Sequence, residues 1–211
     1  DRFILSKGHA GIAYAPVLVD FGWNDPEQLK TFNHTNSKMG IHLDSNKVVG
    51  VDASTGSLGH GLPIAVGTAL AARVLGKDYK TYCILGDGEC DEGSVWEAAL
   101  QAHQFKLDNL VAIIDYNGFS SHDPVNDVIN LEPLADKIRS FGWHVLELHN
   151  GNDMHQVADT LMLSRHLKGK PVAIVARTTK GSGVSYMENN GDWHSKTPSK
   201  EQFQQAMEEL Q

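Results

Sequence analysis

Cysteines, long apolar runs and clusters of basic residues are scarce in this sequence. Its 211 residues include two cysteines, Cys83 and Cys90, too few for a disulfide framework, which favours a reduced, cytosolic protein. The least polar stretch, 58–75, is interrupted by His60, Arg73 and several glycines, so it predicts a buried helix rather than a membrane span. No signal peptide is recognisable, and no membrane is expected among the partners.

The charge balance is acidic and evenly spread. Asp and Glu total 26 against 18 Lys and Arg, a formal net charge of −8, and the lack of a basic block argues against a nucleic-acid partner. The apolar fraction of 41% is ordinary for a globular protein. We predict a single domain over residues 1–211. Because the chain starts at Asp1, in what reads as the middle of a motif, we expect an upstream N-terminal segment to be missing.

Short apolar runs alternate with helical patterns along the chain. Strands are predicted at 80–85, 110–115, 143–148 and 172–176, and helices at 10–21, 24–32, from the glycine-rich turn 54–61 to Gly76, 94–105, 131–141, 154–167 and 201–210. Asn24 is a candidate N-cap for the second helix. Residues 34–52 read as a long loop that carries His42. This alternation predicts an α/β fold, a doubly wound, mainly parallel sheet with helices on both faces.

Polar groups follow two successive predicted strands. Gly86, Asp87 and Gly88 come directly after the first, and Asn117 comes directly after the second. Ligands of an open parallel sheet bind outside the carboxyl ends of its strands, so Asp87 and Asn117 should face one site. Carboxylate and amide oxygens suit Mg²⁺ or Ca²⁺ shared with a diphosphate, whose oxygens the Gly88 N–H would reach at the start of the following helix.

Two nucleotide-binding motifs are excluded at this turn. A dinucleotide fingerprint would need a glycine at the position of Asp91, whose carboxylate repels a pyrophosphate, and the Gly-Lys-Ser/Thr of a Walker loop is absent. The alternative without any ligand is an ordinary strand–turn–helix connection in which Asp87 caps the helix. That alternative accounts for Asp87 alone but leaves Gly86, Gly88 and Asn117 without a reason.

A Gly-Asp-Gly turn followed about thirty residues later by Asn, each after a strand, resembles the thiamine diphosphate motif. Six further stretches resemble transketolase: 6–10, 55–59, 92–98, 106–110, 141–144 and 192–196. The resemblance runs from Arg2 to about Pro198. It identifies the chain with the thiamine diphosphate-binding N-terminal section or subunit of a transketolase.

The resemblance implies a role for each matching position. The metal ligands would be the side chains of Asp87 and Asn117 and the backbone carbonyl of Phe119. The residues matching thiamine diphosphate contacts are Gly56, Ser57, Leu58, Gly88, Glu92, Asn117, Lys180 and His194. The residues matching catalytic histidines, which line the channel between cofactor and sugar, are His9, His42 and His194. Glu92 and Glu97 match acids near a dimer interface.

Several of these residues also have plain structural interpretations. Ser94 and Glu97 have the spacing of a helix capping box. Lys180 could be a solvated loop lysine, although the flanking Gly181 and Gly183 suit a loop that closes on phosphate. The remaining histidines are expected to have no role in the site: His144 should pack at the start of a strand, and His34, His122, His149, His155 and His166 should be solvated.

The resemblance implies ketol transfer within carbohydrate metabolism. The cofactor of this family supplies the carbon nucleophile that cleaves a ketose, and a two-carbon glycolaldehyde unit passes to an aldose. The activating glutamate lies on a pyrimidine-binding domain, so the implied partner is a C-terminal section or subunit, in a dimer of heterodimers. Two alternatives stay open: a deoxyxylulose phosphate synthase or dehydrogenase E1 type of subunit, and a non-catalytic regulatory subunit.

The sequence also departs from the family's pattern. His60 stands where Gln is usual, Ile41 and Leu43 replace small residues on either side of His42, and Asn152 stands where His is common. These differences leave the sugar preference open, with or without a phosphate.

Overall fold

The computed structural model describes all residues from Asp1 to Gln211 as an α/β structure. In chain order the elements are β1 (Arg2–Leu5), α1 (Gly11–Asp20), α2 (Gly61–Val74), β2 (Thr81–Gly86), α3 (Gly93–Gln104), β3 (Leu110–Tyr116), β4 (Phe119–Ser120), β5 (Asp123–Pro124), α4 (Val125–Val128), α5 (Leu134–Ser140), β6 (His144–Leu148), α6 (Met154–His166), β7 (Val172–Arg177) and α7 (Lys200–Glu209). Short 3₁₀ helices cover Gly8–Ala10, Pro26–Thr31, Gly88–Asp91 and Gly191–His194.

Five strands form one parallel sheet in the order β1-β2-β3-β7-β6. Gly86 at the end of β2 pairs with Asp115 near the end of β3, and Tyr116 pairs with Arg177 at the end of β7. The carboxyl ends of three central strands therefore lie at one edge. The predicted fold class is confirmed.

Helices cover both faces of the sheet. Cys83 and Leu85 of β2 point to a face packed by α2, α3 and α5, while Val111 and Ile174 point to the opposite face, which α6 covers. Small residues let α2 and α3 approach closely, as the small-residue pattern predicted. Since this packing is tight, a large side chain in place of one of those buried alanines would cost about 1–3 kcal/mol.

A separate apolar cluster joins α1 to the long loop 34–52. Leu18 of α1 packs with Met39, Leu43 and Val48, all of which are 5% exposed or less. The loop has no strand or long helix, but this cluster ties it to the domain. His42 lies in the loop, next to the buried Leu43.

Two details at the N-terminal end differ from the sequence predictions. Arg2–Leu5 is a strand that pairs with β2, although it was not predicted because four residues are too short for a recognisable pattern. Asn24 is not a helix cap: its amide hydrogen-bonds the backbone of Val49, and the Asp25 side chain caps a 3₁₀ helix instead.

Two further predictions are wrong around the central strands. The stretch after Asn117 is not a plain loop, because β4 and β5 form a hairpin and α4 follows it. The capping box of Ser94 and Glu97 does not form. The backbone of Glu92 takes the cap position of α3, and the Ser94 hydroxyl donates to the Gly59 carbonyl at 2.9 Å.

No helix in the structure combines the length and apolar character needed to cross a lipid bilayer.

Candidate active site

Asp87 is a buried carboxylate at the carboxyl end of β2. Its side chain accepts hydrogen bonds from the backbone N–H of Gly88 at 2.9 Å and of Gly118 at 2.6 Å. Burial raises the pKa of Asp87 to about 6, against the lowering effect of those two bonds, and the nearby Asp115 adds to the rise. A carboxylate has about four lone-pair sites, so two remain for a cation. Such a buried charge is stabilised by a metal ion.

Asn117 and Phe119 lie beside Asp87 because the turn after β3 folds over the end of β2. The bond from Gly118 to Asp87 fixes that turn. The Asn117 Oδ1 accepts from the Phe119 N–H at 3.0 Å, and its Nδ2 donates to Asp115 at 3.4 Å. The structure thus brings the three predicted metal ligands together. A carboxylate, an amide and a backbone carbonyl are the hard oxygen donors that Mg²⁺ or Ca²⁺ takes, so the residues present fit the implied metal.

Gly88 is required by the packing of the β4–β5 hairpin. A Cβ on Gly88 would lie 2.7 Å from the Ser120 Oγ, which is too close for any side chain. Its N–H donates to Asp87. The expected contact of this N–H with a phosphate therefore stays a prediction that requires the N–H to exchange partners.

Lys7 and Asp115 form a half-buried ion pair that sequence reasoning missed. The Lys7 ammonium and the Thr178 hydroxyl both donate to the Asp115 carboxylate. Burial acts to raise the pKa of Asp115, but Lys7 and Thr178 outweigh it and hold the pKa below its ordinary value. The pair ties the segment after β1 to the end of β3. The available signal was Lys7 itself, inside the stretch 6–10 that carried the family resemblance.

His9 and His194 lie side by side, with ring centroids 5.2 Å apart. Burial and then the positive groups His194 and Lys7 lower the pKa of His9 to about 4. His9 is therefore neutral near pH 7, with one ring nitrogen free to accept a proton. His42 lies close to the predicted cofactor turn, since a Cβ on Gly56 would be 3.3 Å from its ring.

Lys180 is not a solvated loop lysine. Its Nζ lies 3.1 Å from the Nδ1 of His194 and 5.8 Å from the centre of the Phe119 ring. Burial and then Lys7 lower its pKa, and burial and then Lys180 lower the pKa of His194. Lys180 makes no ion pair, so these groups form a positively polarised surface that favours an anion next to the carboxylate pocket.

His122 was expected to be solvated, and that expectation is wrong in part. Its side chain is exposed, but its ring lies 5.5 Å from the ring of His194, edge to face. The sequence carried no signal for this contact, because it arises from packing of the β4–β5 hairpin against the Gly191–His194 helix.

The turn 56–59 lies between the end of β1 and the start of α3. Ser57 is exposed and Leu58 is half-buried, so both have surface that a cofactor can contact. The next residue, Gly59, has a φ of +78° and would place a Cβ 2.6 Å from the Cβ of Glu92. Glu92 and Glu97 are exposed on α3 and its cap, and both are free to meet another chain.

Glu89 is a second buried carboxylate, which sequence reasoning also missed. It is 2% exposed and accepts hydrogen bonds from the Ser6 hydroxyl, from the Gly59 N–H at 2.8 Å and from the Gly86 N–H at 3.2 Å. Burial raises its pKa, although those bonds act to lower it. Glu89 thus joins the three segments that carry His9, the turn 56–59 and Asp87.

Comparisons with known proteins agree with this geometry. Residues 1–210 match the family model of the transketolase thiamine diphosphate-binding domain. One of the two subunits of the apulose-4-phosphate transketolase of Actinobacillus succinogenes is 44% identical over 100% of this chain and 75% of its own length. The 6-deoxy-6-sulfo-D-fructose transketolase subunit of a Clostridium species is 38% identical over 100% of this chain and 76% of its own length.

Full-length transketolases match over a smaller share of their length. Human transketolase is 37% identical over 100% of this chain and 33% of its own. The structure of transketolase from Campylobacter jejuni superposes with a TM-score of 0.94 at 32% identity, over 100% of this chain and 34% of the other. The predicted resemblance, and with it a place in a ketol-transferring enzyme, is confirmed. The chain belongs to the transketolase family, as its thiamine diphosphate-binding part.

Proposed function

We propose that this chain is the cofactor-anchoring half of a split transketolase, which uses thiamine diphosphate and Mg²⁺ (or Ca²⁺ in its place). The observation that carries the proposal is the buried Asp87, with two free lone-pair sites, next to a surface bearing Lys180 and His194. Negative oxygens below a metal and positive groups around a diphosphate are the complementary charges such a cofactor requires. Residues 1–211 would act as one diphosphate-binding unit.

Each side chain of the site has a role in this proposal. Asp87, Asn117 and the Phe119 carbonyl hold the metal, while Lys180 and His194 neutralise the diphosphate. Gly56, Ser57, Leu58, Gly88 and Glu92 complete the cofactor contacts. When bound, the cofactor supplies the carbon nucleophile that cleaves a ketose and carries a two-carbon unit to an aldose.

His9, His42 and His194 manage protons and orient the sugar. The low pKa of His9 keeps its imidazole neutral, so it accepts a proton from a sugar hydroxyl when the ketose is cleaved. His42, next to Gly56, is placed to hydrogen-bond the sugar carbons' hydroxyls nearest the cofactor.

The partner would be a C-terminal subunit that carries the pyrimidine-binding domain and the activating glutamate, within a dimer of heterodimers. Two relatives that share three quarters of their length with this chain are named as transketolase subunits, which supports a divided enzyme. Their names specify apulose 4-phosphate and 6-deoxy-6-sulfo-D-fructose. Both sugars carry an anionic group, so we propose a ketose with a phosphate or sulfonate as donor.

The test is to combine the chain with its C-terminal partner, thiamine diphosphate and Mg²⁺, and to screen ketoses with and without phosphate. Ketol transfer by the mixture, and none by either protein on its own, is expected. Asp87→Asn should reduce turnover by about 100-fold or more, since even residues behind a metal ligand are worth 10–100-fold. The matched control Asp78→Asn, on an exposed residue, should leave it unchanged.

Full turnover by this chain without its partner would contradict the proposed half-site. A mixture that binds thiamine diphosphate but transfers no two-carbon unit from any sugar would favour the regulatory alternative.

A further inference from the structure

Three imidazoles form a row in the site: His9, His194 and His122. Centroid distances of 5.2 Å and 5.5 Å separate the first from the second and the second from the third. His9 and His194 are half-buried, whereas the His122 side chain is exposed. The row therefore leads from the interior of the site to solvent, and His122 is its outer member.

The inner end of the row faces the carboxylates. Lys180, which contacts the Nδ1 of His194, also feels the negative charges of Asp115 and Asp87. His122 lies on the side of His194 that is remote from those acids. An oxygen bound near His122 thus belongs to a molecule that extends outward past the metal and diphosphate pocket.

The backbone packing holds His122 in this place. The hairpin turn that carries it touches the Gly191–His194 helix so closely that a Cβ on Gly191 would collide with the His122 carbonyl oxygen. The ring is held less firmly, since its nitrogens meet only the hydroxyls of Ser121 at 2.9 Å and Ser195 at 3.4 Å. Hydroxyls can donate or accept, so the ring can exchange either one for a ligand oxygen.

We propose that His122 is a specificity-determining residue that hydrogen-bonds an oxygen of the sugar beyond the two transferred carbons. The inference rests on the proposed ketol transfer, because it needs a sugar whose reacting end lies by His9 and whose far end points outward. That far oxygen belongs to a hydroxyl or to a terminal phosphate, and both are hydrogen-bonding partners of an imidazole.

The kinetic test uses the enzyme assembled from both subunits, with fructose 6-phosphate and fructose as donors. His122→Ala should raise the KM for the donor about tenfold, the effect of one lost hydrogen bond, and change kcat less than twofold. His122→Gln, which keeps a donor and an acceptor, should recover part of the loss. The control His155→Ala, on the exposed surface of α6, should change neither constant.

The two donors locate the contact. A loss seen only with fructose 6-phosphate places it on the phosphate, and an equal loss with both sugars places it on a hydroxyl. A donor KM within twofold of wild type in His122→Ala overturns the proposal. So does a change in thiamine diphosphate affinity as large as the change in donor KM, because His122 would then act on the cofactor.

A second readout does not depend on turnover. Diethyl pyrocarbonate modifies exposed imidazoles, and mass spectrometry reports the modified fraction of each. Fructose 6-phosphate added to the assembled complex with thiamine diphosphate and Mg²⁺ should slow modification of His122 at least threefold and leave His155 unchanged. Equal modification of His122 with and without the sugar overturns the proposal. An inactive complex in which His122 is protected would instead contradict the proposed ketol transfer alone.

Discussion

The site has a carboxylate side and an imidazole side, and the two are built differently. On the carboxylate side, Asp87 and Glu89 follow β2, are 2% exposed and receive several hydrogen bonds from the backbone. On the imidazole side, His9, His194 and His122 come from loops far apart in the chain, and their rings contact each other and solvent.

This difference separates two functions. Strand ends in a parallel sheet are rigid, so they suit a metal and diphosphate whose geometry is always the same. Loops with partly exposed rings suit sugars, which vary among enzymes of one family. Changes on the carboxylate side should therefore act mainly on stability and cofactor binding, whereas changes on the imidazole side should act mainly on turnover.

The largest effect on stability is expected from Glu89→Ala. The change leaves the Gly59 and Gly86 N–H groups without an acceptor in a buried place and frees the Ser6 hydroxyl. At about 1–3 kcal/mol for each buried unsatisfied donor, the free energy of unfolding should fall by about 3–5 kcal/mol. Urea unfolding of the chain without cofactor measures it.

Two variants bracket that prediction. Glu89→Gln keeps one acceptor oxygen, so it should lose less, about 1–2 kcal/mol. Glu97→Gln, on an exposed residue of α3, should change the free energy of unfolding by less than about 0.5 kcal/mol. If Glu89→Ala were as stable as Glu97→Gln, the distinction between the two sides would not hold.

The next effect is a pH dependence caused by Asp87. Its pKa of about 6 in the folded chain exceeds the ordinary value of 3.8, so between these pH values the folded state holds more protons than the unfolded state. Stability from this group is present below about pH 4 and falls, by about 3 kcal/mol, as pH rises to 6.

His9 has the opposite sign. Its pKa of about 4 lies below the ordinary 6.5, so the unfolded state holds the extra proton between these values. Stability from His9 is present above about pH 6.5 and is lost as pH falls towards 4. Because the ring is only half-buried, we discount the effect to about 2 kcal/mol. In the wild-type chain the two slopes therefore largely offset each other.

Single variants should reveal each slope. In His9→Asn, urea unfolding without metal should show a free energy of unfolding that falls from pH 4 to 6, because only Asp87 titrates there. In Asp87→Asn it should rise over the same range. Parallel profiles for the two variants would mean that the groups are not perturbed in opposite directions. Mg²⁺ affinity, by the same reasoning, should weaken below pH 6 as protons compete for Asp87.

The smallest predicted effect lies outside both sides of the site. Ser199 caps α7 through a capping box with Gln202, in which each side chain accepts from the other's backbone. Ser199→Ala should lower the free energy of unfolding by about 1 kcal/mol and leave ketol transfer by the assembled enzyme unchanged. A loss of turnover larger than the loss of stability would show that α7 supports the site.

Much of the fold and the anchor was predictable because the signals are local. A β2 run followed by Gly-Asp-Gly, and a β3 run followed by Asn, specify where strands end and which polar groups stand there. In a parallel sheet those ends lie at one edge, so the neighbourhood of Asp87 and Asn117 follows from sequence. The four-residue strand β1 and the cap at Asp25 were missed because short elements are decided by their neighbours.

The sequence by itself determined the α/β class, the order of most strands and helices, and the residues of the metal and diphosphate anchor. Only the tertiary structure decided that Glu89 joins three segments, that Lys7 pairs with Asp115, and that His122 stands beside His194. These contacts join residues 30 to 108 positions apart. No local pattern encodes such distances, because they depend on how the loops pack once the sheet has formed.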